Sequence, residues 1–532
     1  VAVLPEAAGR LSGWGRCFRG VSVAVTAVVA LYLIGSVLRM LMLPSPQECR
    51  ETAVLMTTDV LLRGENPFDL AHQPMYVNIY GVLYWLVVYP LAWLFGSTFT
   101  VHRGVSLACL AGACLMFFRT LRWQAASWWL ALVATGMFWR FQGQSMTILA
   151  RPDGLGLLLF LGAILVAWRS GYSWLGLAAS AALGVLALWA KAYFGMALPV
   201  VGLYLFLYRG KSQALLYGLG ALGLAIASGL LLNRLFPYYF FNTLTGPAIL
   251  NAGSSRSVVM LLRQYACFCG LHGGLLIVLA VAARCALPKP GAQRGIFAPF
   301  NLHGPLLRGE GDVMVVGILC GAAVLVYPLG LNDGTWMLYF YHLLSPFVIF
   351  VACRWISRHA SARTWALAAL AANSILMIII IKPLPFPKSH REQWAYWDGL
   401  IGSHRRVFAS PMLAQILRQQ GRNIYDSGYP EFMICGMRKA GPGHYPLAIT
   451  NRYAEYSADI RSRLEQENFD LVILAMGGDD MVDPGLLNAH YVHRERIAIR
   501  GYWRAYWYNI WVPRHAAMSL GSGPSATQPT GP

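Results

Sequence analysis

Carboxylates are scarce in this chain. Only 23 of its 532 residues are Asp or Glu, against 42 Lys or Arg, and charged residues together make up 12%. Soluble domains carry about 25% charged residues, so composition excludes a wholly soluble globular protein. Metal-ligand spacing is missing as well. The ten cysteines are scattered, none in a Cys-x-x-Cys pair or a His/Cys pattern suited to zinc. Cys109, Cys114 and Cys320 fall inside apolar runs as small buried thiols, and Cys267 and Cys269 stand too close for an ordinary disulfide. There is no P-loop and no Gly-x-Gly-x-x-Gly after a strand, so nucleotide binding has no support. No tandem repeat is evident.

What the chain has in abundance is apolar sequence: 57% hydrophobic residues and a mean hydropathy of +0.50, the composition of a polytopic membrane protein. Its formal net charge of +19 sits mostly in short basic runs between apolar segments. That is the positive-inside pattern, and anionic lipid explains it better than nucleic acid. Arg10, Arg16 and Arg19 precede the first long apolar run with no small-residue cleavage site after it. An uncleaved first span is expected, with 1–20 in the cytoplasm. Basic turns at Arg119–Arg122, Arg169, Arg209–Lys211, 284–308 and 354–363 then alternate with apolar segments, predicting about 11–12 membrane helices over 21–381. Residues 79–95 are apolar but short, aromatic and interrupted by Pro90, which suggests a bent or juxtamembrane helix.

After residue 381 the hydropathy collapses. A Pro-rich exit linker leads into helix-then-strand patterns, an apolar LVILA run fit for a buried strand, and two alternating segments near 491–513. The expectation is a small extramembrane α/β domain over 382–514, periplasmic if the span count holds, and a disordered tail at 515–532.

The few carboxylates are not evenly spread. Glu48, Glu51, Asp59, Glu65 and Asp69 cluster directly after the first span, in an outer loop over 44–80. Glu48 and Glu51 are three apart and share a face on a helical turn. A carboxylate there can take a proton from a hydroxyl; the plainer reading is a hydrated helix end. Arg151-Pro152-Asp153 lies at an outer-loop-to-helix junction, where Asp also suits the helix dipole. Lys191 stands alone between two apolar helices, and an intramembrane charge is costly enough to suggest function, although a snorkelling lysine is the plainer account. Asn332, Tyr339 and His342 form a third outer-side group, with Arg256 and Arg263 as looser candidates. The turns Tyr425–Glu431 and Gly477–Asp480 follow strands and read most simply as solvated.

Glu48-x-x-Glu51, Gly64-Glu65-Asn66-Pro67-Phe68 and Tyr80-Gly81-Val82-Leu83-Tyr84 together resemble the GT-C superfamily of polyprenyl-phosphate-dependent glycosyltransferases. The bacterial branch with the aminoarabinose transferase and protein O-mannosyltransferases is the most similar. The family often has Asp where Glu48 stands, and Val82 replaces a family proline, so which glutamate is the base stays open. The resemblance implies Glu48, Glu51 and Asp153 as catalytic residues. It implies substrate contacts from Arg151, Lys191, Tyr80, Tyr84, Asn332, Tyr339 and His342. It also implies a polyprenyl-phosphate sugar donor, a lipid, glycan or protein acceptor, inversion at the sugar, and an inner-membrane location. Some members recruit a divalent cation and others do not, so the metal requirement is open. Rival readings are a transporter or lipid-linked-sugar flippase, a polysaccharide polymerase or ligase, and a non-catalytic scaffold. A transporter predicts paired charges near the midplane and internal repeats, whereas here the acids gather at one face.

Overall fold

The computed structural model describes residues 13–76, 78–124, 126–143, 148–252, 258–286, 313–326, 338–358, 363–379, 387–475, 481–500 and 505–519. The first nine α-helices are α1 Gly13–Leu41, α2 Glu51–Leu62, α3 Leu83–Phe95, α4 Phe99–Trp123, α5 Trp128–Gly143, α6 Asp153–Arg169, α7 Trp174–Ala190, α8 Ala197–Tyr208 and α9 Lys211–Leu235. The chain divides into two compact units.

One unit, drawn from Val1–Met42, Tyr80–Leu235 and Asn251–Pro383, is helical among its described residues. Its helices α1, α4 and α9 are long and apolar enough to cross a bilayer, and shorter apolar helices include Leu83–Phe95 and Trp174–Ala190. Helix α3 has 13 residues with Pro90 inside it. At 1.5 Å per residue it reaches about 20 Å, short of the ~30 Å hydrocarbon core. Large apolar side chains such as Leu31, Trp93, Phe95 and Leu230 are largely exposed. In water such a surface would be a liability; against acyl chains it is the expected face. This is a helical membrane protein.

The other unit, drawn from Leu43–Ile79, Phe236–Leu250 and Leu384–Pro532, carries a four-stranded sheet of order β1-β2-β4-β3. Strand β1 (Val407–Ala409) pairs in parallel with β2 (Leu471–Ala475). Strand β4 (Ala505–Pro513) is antiparallel to both β2 and β3 (Tyr491–Arg500), with a register irregularity between His493 and Glu495. The alternation of β2 explains its two cores. Leu471 and Ile473 face one side with Trp394, Trp397 and Ile401. Val472 and Leu474 face the other, with Ile449, Tyr453, Ile460 and Leu464 of the helix Leu447–Glu465.

Two features differ from the sequence expectation. The exit linker is helical from Pro387 to Gly402. Proline is tolerated at a first helical position, where its missing N–H costs no intrahelical bond, and Trp394, Trp397 and Ile401 recur at helical spacing. Second, the first outer loop belongs to the α/β unit rather than to the helical one. Helix α2 is buried along most of its length, from Glu51 to Thr58 and again at Val60. The segment 236–250 joins it, with Phe236 and Tyr239 packed edge-on against Phe68.

Candidate active site

The expected site residues fall into two groups, one in each unit. In the helical unit Asp153 is the only Asp or Glu among the described residues. It opens α6, where the positive end of the helix dipole favours an anion. Its carboxylate Oδ1 accepts from Lys191 Nζ at 3.0 Å and from the Tyr193 hydroxyl at 2.7 Å. Its Oδ2 lies 3.4 Å from Arg151 Nε, an ion-pair contact. The Asp153 and Arg151 side chains are only 3% and 4% exposed, and Lys191 13%.

Local backbone geometry brings these groups together. Helix α7 ends where Lys191 turns extended (φ −162°, ψ 127°) and the chain enters a 3₁₀ turn at Ala192–Met196. That break places Lys191 and Tyr193 together on Asp153. Two glycines allow the close approach. A Cβ on Gly81 would lie 1.8 Å from the Trp189 carbonyl oxygen, and one on Gly156 would lie 2.1 Å from the Phe194 ring. Tyr80, next to Gly81, is flanked by both cations: Arg151 at 5.1 Å and Lys191 at 4.8 Å from its ring centroid. Lys191 also lies 5.0 Å from the Tyr193 ring. Cations over aromatic faces at such distances are attracted by the ring quadrupole.

The Arg151–Asp153 turn is braced from α4. Ser106 Oγ donates to the Arg151 carbonyl at 3.0 Å. The Tyr84 hydroxyl donates to the His102 carbonyl at 3.0 Å and lies 3.2 Å from Ser106 Oγ. Tyr84, one of the expected substrate contacts, is wholly buried and braces this turn through Ser106. Arg103, one turn before Ser106, is also fully buried; it donates to the Met40 carbonyl at 2.8 Å and covers the Phe99 ring. Sequence reasoning did not single out Ser106, Tyr193, His102 or Arg103. Among them only Arg103, a charge within an apolar helix, carried a signal that could have been read.

In the α/β unit Glu48 and Glu51 are 6% and 0% exposed. Glu51 starts α2, and its Oε2 accepts the Gln47 backbone N–H at 2.6 Å. Glu48 Oε2 accepts the Arg50 N–H at 3.0 Å, and its Oε1 lies 3.1 Å from the Cys49 thiol, which donates. The Glu48 carbonyl in turn accepts the Glu51 N–H at 3.2 Å. Both acids are therefore locked into one tight turn. The other loop acids have separate work. Asp59 pairs with Arg418, Asp69 caps a short turn by accepting from Ala71 N–H, and the exposed Glu65 pairs with Arg63 and His72. Its hydrogen bond from Arg63, with the charges of Arg63 and His72, holds the Glu65 carboxyl below the ordinary glutamate value against an opposing desolvation.

Asn332, Arg256 and Gly477–Asp480 lie outside the described residues, as do the side chains of Tyr339, His342 and Arg263. The Tyr425–Glu431 turn is not solvated at its centre: Asp426 and Ser427 are buried, and Ser427 Oγ donates to the Met75 carbonyl at 2.8 Å. No group of three or more His, Cys, Asp or Glu side chains suited to a metal occurs among the described residues. The chemistry on offer is anion binding at Arg151 and Lys191, two cations against one carboxylate, and proton acceptance at Glu48 or Glu51.

No family model and no curated protein matches the chain. Two solved structures are similar to it in chain course. Both are crystal structures of ArnT from Cupriavidus metallidurans at 14% identity. The apo state has a TM-score of 0.40 and covers 94% of this chain and 99% of that one. The form bound to undecaprenyl phosphate has a TM-score of 0.38, covering 93% and 98%. Similarity this loose assigns neither a substrate nor a site.

Proposed function

We propose that this protein is a membrane-embedded glycosyltransferase. It takes a sugar from a polyprenyl-phosphate donor and passes it to an acceptor hydroxyl at the outer face of the inner membrane, with the α/β unit on that side. The observation that carries the reading is the buried Arg151–Asp153–Lys191 cluster in a unit with no other described carboxylate. Three charges in so apolar a setting are costly unless paired, and their sum is positive. A phosphate on a lipid carrier has the complementary charge and reaches such a site from the bilayer. The Arg151 guanidinium suits phosphate as a planar fork and the Lys191 ammonium as a point charge. Asp153 holds both cations in place and leaves their net charge positive.

Glu48 is the general base in this reading. It keeps slight exposure, whereas Glu51 is sealed in the turn that it caps. The carboxylate of Glu48 removes the acceptor's hydroxyl proton as that oxygen attacks the anomeric carbon. The new C–O bond forms as the bond from carbon to phosphate oxygen breaks, and polyprenyl phosphate leaves with the electron pair. In-line attack inverts the anomeric centre. The leaving phosphate is already a weak base, so no second carboxylate is needed to protonate it.

The test is transfer by the purified full chain from a panel of polyprenyl-phosphate sugars, with nucleotide sugars as controls. Transfer from the lipid donors alone is expected. Transfer from nucleotide sugars alone, or a reporter fusion that places Glu48 in the cytoplasm, would contradict the reading.

A further inference from the structure

The loop acids do not hold their own position. Glu51 begins α2, and two turns later the same helix carries Asp59. The Asp59 carboxylate accepts a two-pronged contact from Arg418, with Nε at 2.5 Å from Oδ2 and Nη2 at 2.6 Å from Oδ1. The side chains are 24% and 17% exposed, shielded enough for the pair to matter more than an ordinary surface ion pair. Arg418 stands on the short helix Ala414–Gln419, whose first four residues are buried. That helix packs into the core formed on one face of the β1–β2 strands, and Cys49, between Glu48 and Arg50, packs against the same core.

Other bonds hold the rest of the segment. Arg50 lies over the Phe432 ring. The Tyr453 hydroxyl donates to Gln73 Oε1 at 3.1 Å, and Arg452 Nε donates to the Gln73 carbonyl at 3.0 Å. Gly428 sits at φ +96°, and a Cβ there would approach Pro411 to 3.2 Å and the Cys49 carbonyl to 3.7 Å. All of these ties bind the loop to residues more than 300 positions away, and the Arg418 fork grips the acid-bearing helix by charge.

We infer that Arg418 is a positioning residue for the reaction: through Asp59 it fixes α2, and with it the turn that presents Glu48 and Glu51. This rests on the reading that the loop acids carry the chemistry. It gives the α/β unit a part in catalysis as the template on which the reactive loop is set, apart from any contact with acceptor. The physical basis is the steep cost of misplacement: a shift of about 1 Å in a reacting group can lower a rate roughly 100-fold.

The experiment compares kcat and donor KM for the full chain carrying Arg418→Gln, Arg418→Lys, Asp59→Asn and the swapped pair Asp59→Arg/Arg418→Asp, beside Glu48→Gln and Glu51→Gln. Arg418→Gln and Asp59→Asn are each expected to lower kcat roughly 10- to 100-fold with donor KM within about twofold. Their double variant should fall no further, as expected for partners in one contact. Arg418→Lys keeps the charge but loses the fork and should fall between. The swap should recover kcat above Arg418→Gln and Asp59→Asn. If Arg418→Gln fails to fold, Arg418→Lys and the swap decide by the same criteria. Wild-type kcat in the folded Arg418 variants, with a glutamate variant inactive, overturns the positioning role. Full activity in both glutamate variants overturns the reading of the loop acids, and the positioning role with it.

Discussion

The two units handle carboxylates in opposite ways. The helical unit has a single described Asp or Glu, and it is clamped by two cations and a tyrosine hydroxyl. The α/β unit carries five in its first loop, and the two deepest accept from neighbouring backbone N–H groups and, at Glu48, from the Cys49 thiol as well. In a hydrocarbon-facing bundle a lone acid survives only with a full counter-charge, so Asp153 is suited to holding cations still. In the loop, Glu48 and Glu51 accept from the backbone N–H groups of Arg50 and Gln47, and proton acceptance is the role proposed for Glu48. The contrast is between a carboxylate tied to two cations and carboxylates tied to backbone donors.

The sharpest way to break that comparison is to remove the base. Glu48→Gln is expected to lower kcat about 10²- to 10⁴-fold, the range of a lost general base, while Glu51→Gln, which weakens a turn, costs less. Equal losses would erase the distinction between the two acids. On the other side, Asp153→Asn removes the carboxylate charge that Lys191 and Arg151 share. Breaking a buried pair costs about 3–5 kcal/mol, so the thermal midpoint of the detergent-solubilised protein should drop clearly. Asp153→Asn/Lys191→Met should recover part of that loss while donor KM rises. A double variant less stable than Asp153→Asn would show that the cluster is not held together by charge.

A smaller effect is expected at Gly81. An alanine methyl there would meet the Trp189 carbonyl, and such overpacking costs about 1–3 kcal/mol. Gly81→Ala should therefore lower the midpoint and raise donor KM, because Tyr80 and Lys191 lie on either side of that contact.

The smallest effect is a pH dependence confined to the α/β unit. Asp470 accepts from the backbone N–H groups of Arg405 and Arg406 at 3.1 and 3.0 Å, and from the Arg406 guanidinium at 2.9 Å. Partial burial works to raise its carboxyl, but the bonds and charge of Arg406 outweigh this and hold it below the ordinary aspartate value. A lowered folded pKa stabilises fully above the unfolded value of about 3.9 and is lost as pH falls through the folded one. Protease resistance of residues 405–475 should therefore weaken below about pH 4, and Asp470→Asn should flatten that weakening.

Much of this was legible in the sequence for a physical reason. Apolar runs, basic turns and period-two alternation are local patterns, so the membrane helices and the β3–β4 pair could be read in place. Asp153 and Lys191 were visible because a charge in apolar sequence is conspicuous. Their partners were not. Ser106 and Tyr193 are ordinary residues until folding brings them within bonding distance, and Arg418 meets Asp59 across 359 positions of chain. Gly81 was visible only as a member of the Tyr80–Tyr84 motif and Gly156 carried no signal, since what makes them necessary is the backbone or ring facing them. The first loop looked like part of the membrane domain because it follows the first span. Its attachment to the sheet depends on contacts from residues 411–453, which no local pattern announces.

The most direct test of the central claim is polyprenyl-phosphate release from a lipid-linked sugar, followed alongside acceptor glycosylation in wild type and Glu48→Gln. Wild type is expected to release one lipid phosphate per sugar transferred. In Glu48→Gln both should fall together while donor binding is kept. Undiminished, stoichiometric transfer by Glu48→Gln would contradict that claim.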